Sequence, residues 1–104
     1  MDTLTRLEAT IAERRTAAPD ASYVAQLTHR GLPVMARKLG EEAVEACVAA
    51  LSGSREDLVG EAADLVFHLM VLLADKGIAL EEIMAELDRR EGTSGLDEKA
   101  SRSA

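Results

Sequence analysis

The sequence predicts an all-α fold. Three observations carry that prediction. Apolar residues return at helical spacing along most of the chain, and Gly, Pro and Ser breaks separate the periodic stretches. Aromatic residues are nearly absent, Tyr23 and Phe67 being the only ones beside two histidines. A core must therefore be built from Leu, Val, Ile, Met and Ala, a mix that suits helices better than β-sandwiches.

The elements follow in order. Residues 3–17 place Leu4, Leu7 and Ile11 on one stripe with Ala9 and Ala12 beside it, and Asp2 or Thr3 stands ready as N-cap. The segment AAPDAS, residues 17–22, breaks the pattern and ends on the cap-like Ser22. A short helix, SYVAQLTHR, follows and stops at Gly31, a residue suited to a left-handed C-terminal position. Leu32 and Pro33 open a longer helix that runs to about Leu51. The turn SGSRED, residues 52–57, offers a fresh cap at Ser54, and the next helix runs from about Arg55 to Lys76 and stops at Gly77. A last amphipathic helix, from Leu80 to about Arg90, points Leu80, Ile83, Met84 and Leu87 inward. From Gly92 the chain is polar without periodicity. The expected architecture is an antiparallel bundle of about five helices over residues 1–91, with a mobile polar tail over 92–104.

A chain of 104 residues is one domain's worth, and its core is thin. The net charge of −7 argues against binding nucleic acid or an anionic membrane. It leaves room for a phosphorylated small molecule where metal ions reverse the local field. Cys47 is the only cysteine, which removes disulfide frameworks and Cys-based zinc sites. Its apolar helical setting predicts a small core residue. The N-terminus has acids and no continuous apolar run, so it does not resemble a targeting peptide, and the longest apolar stretch, Leu69–Ala74, is too short to span a bilayer. The expected location is the cytoplasm.

The acids are the unusual feature. On the first long helix Leu39, Ala43, Ala46 and Ala50 centre the apolar stripe, and Lys38, Glu42, Glu45 and Ala49 form a second stripe beside it. Glu41 points further outward. On the second long helix Glu61, Asp64 and His68 share one stripe, continued by Val71, Leu72 and Asp75. Most other positions from Leu58 to Ala74 are apolar, and a helix that is apolar all round is expected to be buried. A carboxylate carried inside must be protonated, paired with a base or bound to metal. Glu42–Glu45 and Glu61–Asp64 are both i, i+3 pairs, and each lies about seven residues from the turn. An antiparallel hairpin sets the two pairs at similar height. Four facing carboxylates repel unless cations intervene. Hard oxygen ligands without Cys suit Mg²⁺ or Mn²⁺, and four are more than one Mg²⁺ usually recruits.

The plainer readings are weighed beside this one. Arg37 with Glu41, and Lys38 with Glu42, are also simple i, i+4 surface pairs. For Glu61 and Asp64 the plainer reading is a buried ion pair with a base from another helix, and the apolar surroundings and the matched Glu42–Glu45 pair favour metal over it. His68 reads as a satisfied core histidine or a hydrogen-bond partner, not a ligand, and His29 as surface. A di-iron bundle needs Glu-x-x-His pairs, which Glu42, Glu45 and Glu61 lack.

Glu42-x-x-Glu45, a spacer, then Glu61-x-x-Asp64 resembles the metal signature of the all-α MazG-like nucleotide pyrophosphohydrolases. Within that superfamily the chain is similar to the phosphoribosyl-ATP pyrophosphatase family. The likeness lies in SYVAQLTHRGLPVMARKLGEEAVEACVAA (22–50), EAADLVFHLMVLL (61–73) and RREGTSGLDEKASR (89–102), which together span most of the chain. Thr28–His29–Arg30 departs from the commoner lysine-containing version of the first block. The resemblance implies hydrolysis of phosphoribosyl-ATP to phosphoribosyl-AMP and pyrophosphate, the second step of histidine biosynthesis, by a Mg²⁺-dependent homodimer. It implies Glu42, Glu45, Glu61 and Asp64 as metal ligands, with Glu41 either orienting water or metal from behind or lying on the surface. Lys38 is the first phosphate contact it suggests, then Arg37, with Lys99 and Arg102 closing from the tail. Two rival functions remain: a housekeeping pyrophosphatase of non-canonical nucleoside triphosphates, and a helical interaction module needing no metal.

Overall fold

A computed structural model describes residues 1–102, which form six α-helices and, among the described residues, no strand. Helix α1 (Thr3–Arg14) is capped by Asp2, whose carboxylate accepts from the Thr5 amide at 2.8 Å. Helix α2 (Tyr23–Arg30) starts at Ser22 and ends at Gly31, whose φ of 97° is left-handed territory that a side chain would strain. Helix α3 (Leu32–Ser52) leaves directly from that glycine, with Pro33 in its first turn, where a missing N–H costs nothing.

Gly53 and Ser54 alone separate α3 from α4 (Arg55–Asp75). A Cβ on Gly53 would sit 3.0 Å from the Ala49 carbonyl oxygen and 3.1 Å from the Asp57 side chain, so a larger residue in this tight turn would have to push its neighbours by a few tenths of an ångström. Ser54 and Asp57 then form a capping box: Ser54 Oγ accepts from the Asp57 amide at 3.1 Å, and Asp57 Oδ2 from the Ser54 amide at 3.0 Å. The resulting α3–α4 hairpin is the most extensive helix pair in the fold, with α1 laid on α4 and α2 on α3. Ile11, Val24, Leu27, Met35, Met70 and Val71 form the buried core. Arg15 reaches across from α1 to Asp75 on α4 at 3.0 Å. Helix α5 (Leu80–Arg90) joins this body through Leu80, whose amide donates to Glu8 on α1 at 2.6 Å.

The tail differs from its expected aperiodic form, because Gly95–Arg102 is a sixth helix, α6. Ser94 caps it by accepting from the Asp97 amide at 3.0 Å, Asp97 and Glu98 lie in its first turn, and Lys99 and Arg102 in its last. Its one buried residue is Glu98, and Leu96 is 81% exposed. Charge and capping hold this helix, so apolar periodicity could not reveal it. Ser103 and Ala104 of the predicted tail lie outside the described residues.

The second long helix is not buried all round. Leu58, Val59, Val66 and Leu69 are exposed on one face of α4, and Val44, Val48 and Leu51 on one face of α3, with Leu51 89% exposed. Cys47 lies on that α3 face and is exposed, not core. Among the described residues α1, α2 and Leu80 at the start of α5 pack on the other side of the hairpin. The radius of gyration, 15.8 Å, exceeds the ~13 Å of a compact chain of this length. Among the described residues no helix is long and apolar enough to cross a membrane.

Candidate metal centre

The acid stripe of α3 turns inward. Met35 and Ala49 are buried, with Lys38 and Glu42 half-buried between them, while Ala50 of the predicted apolar stripe is exposed. That rotation aims Glu42 and Glu45 at α4. Across the hairpin Glu61 meets them, and one carboxylate oxygen from each of Glu42, Glu45 and Glu61 lies within 4.8 Å of the others. The two-residue turn sets this register, because it fixes how far Glu45 and Glu61 stand from the same end of the hairpin.

Among the described residues no ion pair reaches Glu42, Glu45 or Glu61, and at Glu42 only the nearby His68 works against the upward shift. Glu42 Oε2 and Glu61 Oε2 are buried with no hydrogen-bond partner among the described residues. Burial and the neighbouring Glu45 charge push both carboxyls above the usual carboxylate range, and the Asp64 charge adds to both shifts. Three converging carboxylates, two of them with an orphaned oxygen, are a donor set for a hard divalent cation: oxygen-only, anionic and convergent. The residues present fit a Mg²⁺ or Mn²⁺ ion. A crevice of about 430 Å³ adjoins the acids, lined by Glu45, Val48, Ala49, Ser52, Gly53, Asp57 and Glu61. A second cavity, about 490 Å³ between α1 and the α4–α5 link, is lined by none of the three.

The remaining predicted residues fall into two groups. Asp64 is exposed one turn beyond Glu61 and lies outside the three-carboxylate cluster, although its charge is felt there. The predicted burial of Asp64 fails although His68, one turn further along the same stripe, is buried: the cover that α1 and α2 give to α4 begins beyond Asp64. Glu41 is exposed and holds two bases, Arg37 at 3.6 Å and Lys38 at 3.4 Å. Lys38 thus pairs with Glu41 and not with Glu42. Arg102 is engaged by Glu98 at 3.5 Å, and Lys99 is exposed on α6.

Sequence reasoning missed one constellation beside the acids. His68 is buried, and its Nδ1 lies 2.9 Å from the Asp64 carbonyl oxygen, its Nε2 3.2 Å from the Tyr23 hydroxyl. A carbonyl only accepts, so Nδ1 carries the proton and Nε2 accepts from Tyr23. The predicted satisfied histidine is therefore what the fold contains. Its partner on α2, forty-five residues away, gives no periodic signal.

This geometry fits hydrolases of phosphoanhydrides, and comparison with known proteins decides the family. The family model of the phosphoribosyl-ATP pyrophosphohydrolases matches residues 4–91. The chain belongs to the phosphoribosyl-ATP pyrophosphohydrolase family. The phosphoribosyl-ATP pyrophosphatase of Erythrobacter litoralis is 67% identical, over 98% of this chain and 98% of its own length. That of Novosphingobium aromaticivorans is 64% identical, over 96% of this chain and 94% of its own. That of Rhizorhabdus wittichii is 62% identical over the same shares. The family match contains the whole acid cluster and Asp64, and stops before α6.

Proposed function

We propose that this chain hydrolyses phosphoribosyl-ATP to phosphoribosyl-AMP and pyrophosphate, the second step of histidine biosynthesis. The observation that carries the reading is the pair of orphaned, buried oxygens on Glu42 and Glu61 in a chain of this family. Water adds to a phosphorus of the anhydride between the α- and β-phosphates, the bridging P–O bond breaks, and pyrophosphate leaves. Carboxylates are weak bases at neutral pH, and the triphosphate repels acids, so unaided acids are poor catalysts here. Mg²⁺, when bound, neutralises phosphate charge and acidifies water.

Glu42, Glu45 and Glu61 hold the ion in this reading, and Asp64 joins them by turning its side chain, one helical turn from Glu61. Glu41 holds Lys38 and Arg37 in place until phosphates compete for them. Lys38, half-buried one turn before Glu42, meets the phosphates first. Arg37 follows, and Lys99 and Arg102 of the tail over 92–104 close over the catalytic unit of 1–91. The exposed aliphatic faces of α3 and α4 support a homodimer, since a second copy of the hairpin would cover Val44, Val48, Leu51, Leu58, Val59 and Val66.

The test is pyrophosphate release with and without Mg²⁺, offering phosphoribosyl-ATP beside ATP, dUTP and dCTP. Mg²⁺-dependent release from phosphoribosyl-ATP is the expected result. Release mainly from the other triphosphates would move the chain to the housekeeping reading. Release from none of them would leave a helical interaction module.

A further inference from the structure

The chain contains one tyrosine, one phenylalanine and no tryptophan, and the fold stacks its two aromatic rings together. Tyr23 and Phe67 lie 6.0 Å apart between centroids with planes 17° apart, and His68 stands edge-on to both, at 5.8 and 5.2 Å. Phe67 packs against the hydrophobic core, so it backs one face of the tyrosine. Tyr23 itself remains 45% exposed. Its hydroxyl donates to His68, and His68 donates to the Asp64 backbone, so two hydrogen bonds tie the ring to the residue beside the acid cluster. A ring backed by another ring and pinned at its hydroxyl loses little further freedom on contact with a flat partner.

Resting on the proposed reading that the substrate is an adenine nucleotide, we infer that Tyr23 is the stacking platform for its purine base. Every base has a π-face, and an exposed aromatic ring is the protein surface that best complements one. Among the described residues no other Phe, Tyr or Trp ring is exposed, since Phe67 is half-buried; His68 is buried, and the exposed imidazole of His29 at the end of α2 has no ring behind it. The crevice beside the acids is lined by aliphatic, small and acidic groups and offers no ring. The metal centre at Glu42, Glu45 and Glu61 takes the anionic end of the ligand, and Tyr23, linked through His68 to Asp64, takes the base.

The composition supplies the test. With no tryptophan, the intrinsic fluorescence of the intact chain comes from Tyr23. Titration with phosphoribosyl-AMP should quench that emission saturably, with the midpoint found by calorimetry, and inorganic tripolyphosphate should bind without quenching. Steady-state hydrolysis of phosphoribosyl-ATP by Tyr23→Leu should show KM raised about tenfold or more with kcat little changed, while Tyr23→Phe, which keeps the ring, stays within about threefold in KM. Unquenched emission at calorimetric saturation overturns the platform, as does a KM that is unchanged in Tyr23→Leu or raised equally in both variants. Equal losses would assign the residue to its His68 hydrogen bond instead. A wild-type chain that releases no pyrophosphate from phosphoribosyl-ATP overturns the proposed function by that result alone, and the fluorescence arm still reports on the base.

Discussion

The α3–α4 hairpin and the α5–α6 end treat their acids in opposite ways. In the hairpin, Glu42 and Glu61 are only half-buried as residues, yet each carries a buried oxygen with no partner. In the α5–α6 end, Glu98 is just 6% exposed and fully served, with Arg89 at 2.7 Å, Arg102 at 3.5 Å and Arg90 at 3.7 Å. Glu86 beside it takes Arg89 at 2.7 Å and Arg90 at 3.3 Å. The pKa shifts follow: hydrogen bonds from Arg89 hold the Glu86 carboxyl down at about 2, whereas burial lifts Glu42 and Glu61. Depth of burial does not distinguish the two sets of acids. The missing counter-charge does. A fold that can surround Glu98 with three arginines leaves Glu42, Glu45 and Glu61 with none.

The largest effect should come from removing one orphan. Glu61→Gln is expected to lower Mg²⁺-dependent turnover on the order of 10³-fold. The same change should raise the melting temperature of the metal-free chain, because it removes a repelled charge, and circular dichroism should show the helices intact. A retained activity would detach Glu61 from the metal. The pH dependence of metal-free stability sharpens the contrast. Carboxyls raised in the fold, as at Glu42 and Glu61, contribute stability that is full below the ordinary carboxylate pKa and lost as pH rises through the raised value. Glu86, lowered, contributes in the opposite direction: its share is present above the ordinary pKa and lost as pH falls toward about 2. Denaturant melts across pH, repeated with Glu61→Gln, should show the first slope flatten and the second persist.

An intermediate effect concerns the uncovered face of the hairpin. If the proposed homodimer forms through this face, Val48→Asp should convert the sedimenting species from dimer to monomer, since a charge placed in a desolvated aliphatic contact costs about 3 kcal/mol. Identical sedimentation of wild type and variant would reject the homodimer. The smallest effect belongs to the tail. Glu98→Gln should cost under about 1 kcal/mol, because its arginine partners are half-exposed and screened. Hydrogen exchange over residues 95–102 should quicken in that variant, and quicken in wild type as salt is added.

The comparison also explains what the sequence made legible. Helices α1 to α5 follow from apolar period and from caps such as Asp2, Ser22 and Ser54, which act within a few residues of themselves. The convergence of Glu42, Glu45 and Glu61 was legible for the same reason: helical phase and a two-residue turn are local properties. Cys47 and the outer face of α4 were misjudged because a helical wheel shows which residues share a face, not whether anything covers it. Asp64 was expected inside on that same ground. Helix α6 stayed hidden because its partners are arginines on another helix. The Tyr23–His68 bond joins residues far apart in the chain, and no single-helix pattern encodes such a pair.

The turn at Gly53 and Ser54 has a consequence for how the centre comes into being. Closing a short loop costs little chain entropy, and topologies rich in neighbouring contacts fold within microseconds to milliseconds. The three carboxylates that converge, on residues 42, 45 and 61, all belong to the two helices that this turn joins. Their gathering therefore depends on the fold's shortest connection between long helices, and none of the three is supplied by α1, α5 or α6.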